Sequence, residues 1–171
     1  MQHPVEYAGR IADLVARLHE AADRLATRLE RAGESAEHAE SGWTAAQVGA
    51  HVALVNTSFS TVVDGSVPAA KPAPEGFVER PWADIASGIA GRIEAPARVQ
   101  PPEKISGTEA ALQVRNSAAR LARALSDLSE ERSRYCLTNP IVGTITVLQM
   151  GDWAIAHMIR HNQQAKRIIG G

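Results

Sequence analysis

The chain has one cysteine, Cys136, among its 171 residues. A single thiol excludes an intramolecular disulfide framework and any zinc cluster built from several cysteines. An excess of charge of one sign is also missing, since 18 Lys and Arg face 19 Asp and Glu and leave a formal net charge of −1. No global basic field is available to recruit nucleic acid or anionic lipid, so we expect function to come from a local site.

Long apolar runs are absent from the sequence. No stretch approaches the roughly 20 residues of a membrane-spanning helix. Residues 1–10 lack the basic segment followed by an apolar one that a secretory signal has. These absences predict no membrane partner and a cytoplasmic protein. The length fits one domain with a sizeable core, and we expect a single domain over residues 1–171.

Aromatic residues are scarce, at 4% of the chain, and we find no convincing segment with the alternating apolar pattern of a strand. Proline is rare outside the middle of the chain. Of the nine prolines, those at 68, 72, 74, 81, 96, 101 and 102 lie in that middle part. The proline-free stretches on either side are rich in alanine and favour helix over sheet. The composition therefore predicts an all-α protein.

Apolar residues at three- and four-residue steps predict four long helices. We place them at about 5–32, 44–63, 106–128 and 146–168, where Ser or Thr followed by Gln or Glu begins each helix after the first. Asn139-Pro140 marks a turn before the last helix. A connection over about 64–106, with a short helix near 82–90, joins the second helix to the third. The predicted architecture is a four-helix bundle with this long crossover.

Three histidines carry the sharpest chemical signal. His157 and His161 are about one helical turn apart, so both rings project from one face, and His51 lies at the border of the apolar stripe of the second helix. The pair alone is more typical of surface or hydrogen-bonded histidines. His51 favours a metal site, because three neutral imidazoles in a bundle interior offset their desolvation by donating to one cation.

The two sides of the fourth helix differ in character. Apolar and amide residues fall with the histidine pair, which we therefore expect to face inward: Met150, Trp153, Gln164 and Ile168. Polar residues are expected on another side: Asp152, Arg160, Gln163 and Arg167. Leu148, Ile155 and Ile159 form a second apolar stripe, which needs cover from another helix or a second subunit. This stripe favours a homodimer.

Other polar and aromatic residues have simpler interpretations. We expect the following to be solvated or structural: His3, His19, His38, Trp43, Trp153 and Cys136. Gln47 and Gln164 lie one turn from His51 and His161, where helix capping or surface exposure is favoured over support of the histidines. The arginines of the third helix and of the segment after it are spread around the helical turns and form no nucleic-acid-binding stripe.

Two segments resemble the DinB-like superfamily, also called DinB/YfiT. The first, GWTAAQVGAHV at 42–52, is similar to the family's tryptophan, hydroxyl cap and following histidine. The second, at 139–164, looks like the family's proline, Gly-x-Thr turn and closing H-x-x-x-H helix. The order of helices and the long crossover are also similar to that family over most of the chain.

This resemblance implies a divalent metal ion, zinc or nickel, held by His51, His157 and His161. Three protein ligands leave coordination positions for water or substrate. Some relatives use such a site to activate a low-molecular-weight thiol such as mycothiol or bacillithiol, for transfer to an electrophile or for maleylpyruvate isomerisation. The expected function is a metal-dependent thiol S-transferase, with a small-molecule thiol and an electrophile as its partners.

Two alternative functions use the same three histidines. One is a stress-related or sequestering protein that binds a metal, or a small ligand through it, without turnover. The other is metal-dependent hydrolysis. Hydrolysis ranks third, because no carboxylate is an obvious general base: Asp13 and Glu20 on the first helix are candidates, but each is more typical of a solvated charge.

Overall fold

The computed structural model of the protein describes residues 4–32, 42–90 and 94–170. The described chain is mostly helical, as predicted, and includes one small sheet. Its elements, in chain order, are α1 (Pro4–Ala32), α2 (Ala45–Val63), α3 (Trp82–Gly88), a 3-10 helix (Ala97–Val99), α4 (Gly107–Ser126), α5 (Glu130–Ser133), β1 (Cys136–Asn139), β2 (Gly143–Thr146) and α6 (Gln149–Ile169).

Helix α2 begins at a capping box that the sequence predicts. The Thr44 hydroxyl accepts from the Gln47 backbone N–H at 3.1 Å, and the Gln47 side-chain oxygen accepts from the Thr44 backbone N–H at 2.9 Å. The two bonds satisfy donors that a helix start leaves unpaired. The Gln47 amide nitrogen also donates to the carbonyls of Pro102 and Glu103. The capping interpretation of Gln47 is confirmed, and the same side chain fastens the connection to α2.

Four long helices form the core. Helices α1 and α2 each pack against both α4 and α6. One cluster of buried apolar side chains fills these interfaces, and its fully buried members include Leu18, Leu25, Leu121 and Leu125. This packing follows from the apolar stripes of the sequence, because a helix buries the stripe that its neighbours cover.

The sequence predicted no strands, and the structure contradicts that prediction in one place. Strands β1 and β2 form an antiparallel hairpin in which Cys136 pairs with Thr146 and Asn139 pairs with Gly143. The predicted turn at Asn139-Pro140 is its connection, and Asn139 accepts a hydrogen bond from the Ile141 backbone N–H at 2.8 Å. Each strand has four residues and does not alternate regularly between buried and exposed positions, so periodicity could not reveal it.

The second apolar stripe of α6 is covered mainly within the chain. Leu148 and Ile155 are buried in the common core, and only Ile159 is substantially exposed, at 47%. The homodimer therefore stays a prediction, but the stripe no longer supports it, because the chain itself covers most of the stripe. Among the described helices, none is long and apolar enough to cross a membrane.

The connection between α2 and α4 brings two elements to the helices. Helix α3 packs on α6, and the 3-10 helix packs on α2. The second contact places Val99, which is 4% exposed, against the middle of α2. The connection therefore packs against the part of α2 that carries His51.

Candidate metal centre

The three predicted histidines meet at the interface of α2 and α6. The Nε2 atom of His157 lies 3.2 Å from Nε2 of His51 and 3.0 Å from Nε2 of His161. One ligand atom from each ring lies within 4.8 Å of the other two. His51 and His161 are only 5% and 7% exposed, so the cluster is largely shielded from bulk water. The structure brings the three together, and their role as metal ligands stays a prediction.

Two of the rings are oriented by hydrogen bonds at their outer nitrogens. Nδ1 of His51 lies 2.8 Å from the Val99 carbonyl oxygen, and Nδ1 of His161 lies 2.7 Å from the side-chain oxygen of Gln164. Because these oxygens only accept, each Nδ1 carries the hydrogen and donates it. In a neutral imidazole the Nε2 atom then holds a lone pair, and both lone pairs point towards His157.

The third ring, that of His157, cannot donate a hydrogen bond to both of these lone pairs. If His157 carries its hydrogen on Nε2, it donates to one neighbouring lone pair and leaves the second unpaired. If the hydrogen is on Nδ1, three lone pairs face one another. Its Nδ1 is buried and has no hydrogen-bond partner among residues 4–32, 42–90 and 94–170. A cation at the centre removes the conflict, because it accepts all three Nε2 lone pairs at once.

The protonation state and the spacing also fit a metal ion. Burial lowers the pKa of all three histidines, that of His161 to about 3, and the nearby Arg160 guanidinium lowers them further. At neutral pH the rings are therefore uncharged, which is the form that binds a metal. Nitrogens at about 2.0–2.1 Å from a tetrahedral zinc ion lie about 3.3 Å apart. The two Nε2 separations are close to that value.

A pocket of about 1580 Å³ opens beside the cluster and is lined by all three histidines. Part of its lining is apolar and includes Val55, Phe59, Trp153 and Ile168. The rings of Phe59 and Trp153 pack 4.5 Å apart between centroids, which confirms Trp153 as a core residue that also borders the pocket. The Trp43 ring lies 5.2 Å from that of His51, so Trp43 reaches the site as well as the start of α2. Charged side chains line the pocket too: Glu94, Arg98, Arg160 and Arg167.

Three features of the site were predicted wrongly or missed. Gln164 contacts His161, although capping or exposure was favoured. Arg160 and Arg167 line the pocket, which was not expected, and they also line a neighbouring cleft together with Gln163, as their predicted clustering on another side implies. At about 100° per residue they lie about 60° and 80° from the direction of His157, close enough for long side chains to reach the pocket. The Val99 contact uses a backbone carbonyl and had no sequence signal.

The remaining candidates lie away from the site or outside the described residues. Asp13 and Glu20 form ion pairs with arginines on α1 and do not line the pocket, which confirms them as surface charges. His19 is exposed, and His3 and His38 fall outside the described residues. Cys136 is buried on β1, where burial raises the pKa of its thiol.

Comparisons with known proteins give one match. The family model described as the DinB superfamily matches residues 17–165, which includes all three histidines of the cluster. No curated protein and no solved structure matches the chain.

Proposed function

Since the chain belongs to the DinB superfamily, we propose that it is a metal-dependent thiol S-transferase whose divalent ion, zinc or nickel, is held by His51, His157 and His161. The observation that carries the proposal is the convergence of the Nε2 atoms of three uncharged histidines at the side of an open pocket. We interpret the four long helices and the connection over 64–106 as a four-helix bundle with a long crossover, in a single domain over 1–171.

The donor set determines what the ion offers. When bound by three neutral imidazoles, a divalent ion keeps its full charge and an open position, where it lowers the pKa of a thiol ligand. The chain supplies the rest: Val99 and Gln164 hold two of the rings in the ligand orientation. The packed rings of Phe59 and Trp153 give the pocket an apolar surface against which an apolar electrophile can pack.

The thiol must come from solution. Cys136 is the single cysteine of the chain, is buried, does not line the pocket, and has a raised pKa. In the proposed reaction the sulfur of a small thiol forms a bond to an electrophilic carbon, the leaving group departs with its bonding electrons, and the thiol proton passes to water. Low-molecular-weight thiols are kept reduced in the cytoplasm, where we place the protein.

The structure disfavours the hydrolytic alternative. A hydrolase needs a general base within reach of an attacking water, and the two carboxylates considered for it, Asp13 and Glu20, are ion-paired on α1. In the part of the chain that the structure describes, the acidic residue that lines the pocket is Glu94, and it is exposed. Metal binding without turnover uses the same three histidines as thiol transfer, so only a measurement of turnover separates these two functions.

The first experiment measures metal content by plasma mass spectrometry on protein purified without an affinity tag. We expect about one equivalent of zinc or nickel per chain in the wild type and in the control His19→Ala, and a loss of that metal in His51→Ala. His19 is an exposed histidine on α1, so His19→Ala tests whether the loss of any one histidine lowers the metal content. No metal in the wild type, even after reloading, would leave the histidines as buried packing residues and contradict the proposal.

The second experiment measures turnover of monochlorobimane with mycothiol or bacillithiol. We expect consumption above the uncatalysed rate that is lost in His51→Ala and after chelation, and that returns when the metal is restored. A protein that keeps its metal but consumes no electrophile with either thiol would be a binding protein without turnover, and the transferase proposal would be wrong.

A further inference from the structure

Three arginines approach the pocket from two elements. Arg160 and Arg167 lie on α6, beside the face that carries His157, His161 and Gln164, and Arg98 lies on the 3-10 helix. Arg160 directly precedes His161 in the sequence. Among the described residues, the pocket lining therefore combines three arginines with one acidic side chain, Glu94.

These positive charges are not neutralised by the described chain. Within residues 4–32, 42–90 and 94–170, none of the three arginines forms an ion pair, whereas Arg10, Arg17 and Arg115 each meet a carboxylate. Arg160 donates to the Ile89 carbonyl, a neutral partner that fixes its position without cancelling its charge. Arg160 and Arg167 are seven residues apart on α6, which is about two helical turns. Cationic side chains that line one pocket without an ion-pair partner favour an anionic ligand.

The other lining residues indicate what the uncharged part of that ligand is like. The lining also includes apolar side chains, which are Val55, Phe59, Trp153 and Ile168. A purely ionic ligand such as free phosphate would leave these side chains in contact with water. A molecule with an acidic group and a hydrocarbon part fits both kinds of lining residue, because the apolar part is removed from water while the anion meets the arginines.

We propose that Arg160, Arg167 and Arg98 form a subsite for the carboxylate of an apolar organic acid, whose hydrocarbon part packs against Trp153 and Phe59 beside the histidine cluster. The planar guanidinium fork matches a carboxylate with two parallel hydrogen bonds. This inference rests on the proposed function for one point only, which is that the bound acid is the electrophile that accepts the thiol. The binding of the acid itself is independent of that reaction.

The test compares acids with their neutral amides. The probes are 2-naphthoate, 4-phenylbutyrate and octanoate, each beside the corresponding amide, titrated by calorimetry into protein as purified and into protein freed of metal by chelation. We expect at least one acid to bind about tenfold more tightly than its amide, because a charged acceptor makes the stronger hydrogen bonds to arginine. We expect this preference in both forms of the protein and a decrease with rising salt.

Matched variants assign the effect to these side chains. Arg167→Gln should weaken binding of the acid about tenfold and leave the amide unchanged. Lys166→Gln, which removes an exposed positive charge one residue away and outside the pocket lining, should change neither. Glu94→Gln should strengthen binding of the acid, since it removes the negative charge that competes with it. Arg160→Gln is a second variant, with its fold checked by circular dichroism because Arg160 also contacts Ile89.

Each outcome bears on one proposal. Equal affinity of acids and amides, or equal weakening by Arg167→Gln and Lys166→Gln, would overturn the carboxylate subsite even if thiol transfer were observed. An acid preference that depends on Arg167 in a protein without thiol transfer would support the subsite and reject the transferase. Loss of the acid preference on removal of the metal would mean that the acid binds the ion rather than the arginines, which also overturns the subsite.

Discussion

Acid should destabilise the metal-free protein through its buried histidines, and His161 gives the clearest magnitude. Its pKa falls from the ordinary 6.5 to about 3, mainly because burial removes the imidazolium from water. Above pH 6.5 the ring is neutral in both the folded and the unfolded chain, so it adds no pH dependence. Below that value the unfolded chain takes up a proton that the folded chain does not accept until about pH 3.

The loss of stability follows from the difference between the numbers of protons that the unfolded and the folded chain bind. A difference of one proton changes the free energy of unfolding by about 1.4 kcal/mol per pH unit, so His161 alone lowers it by about 2 kcal/mol between about pH 7 and about pH 5. His51 and His157 act in the same direction, since burial also lowers their pKa values. A bound metal should oppose the loss, because it stabilises the folded chain and competes with the protons.

The assay is urea unfolding of chelator-treated protein at several pH values between these limits. His161→Gln should retain stability on acidification better than the wild type by about 2 kcal/mol, whatever its stability at neutral pH. The control His19→Gln, which removes an exposed imidazole, should follow the wild type. If the wild type and His161→Gln lose stability equally on acidification, the argument that His161 is held neutral by burial is refuted.

Three further predictions concern the support of the histidines, a close backbone contact and the oligomeric state. Gln164→Ala should weaken metal affinity about 10- to 100-fold in a chelator competition, while Gln163→Ala should not, because only Gln164 orients a ring of the cluster. Gly88→Ala should lower the free energy of unfolding by about 1–3 kcal/mol in urea, because a Cβ there would lie 2.7 Å from the Ile141 carbonyl oxygen, whereas Gly9→Ala, in open space on α1, should raise it by about 0.5–1 kcal/mol. Light scattering at micromolar concentration should give the mass of a homodimer, and a monomeric mass would contradict that prediction.

Local signals predicted the helices well. Thr44 and Gln47 are three residues apart, and the bonds that begin α2 depend only on that spacing. Thr146 and Gln149 form the same reciprocal pair just before α6, at 3.2 Å for each bond. The hairpin between α5 and α6 depends instead on pairing between two short segments, which leaves little trace in either segment alone.

The sequence predicted correctly that the three histidines lie together, and it gave little sign of the arginine and glutamine side chains around them. A histidine pair at helical spacing with a third histidine suggests one arrangement, and the rings of His51, His157 and His161 do meet. Arginine and glutamine occur on most helix surfaces, so Arg160 and Gln164 gave no comparable signal. Their positions become meaningful only when α2 and the connection are placed against α6.

The 3-10 helix of the connection makes that segment part of the site rather than a crossing between helices. Its residues Arg98 and Val99 are neighbours in the chain, and both line the pocket. Val99 is buried and its carbonyl oxygen fixes the hydrogen on Nδ1 of His51, which leaves the Nε2 lone pair towards the cluster. Arg98 is exposed and adds a positive charge to the pocket lining. Two properties of the site, the tautomer of one histidine and the charge that a ligand meets, therefore depend on a single short turn, which the proline-rich composition of the connection did not reveal.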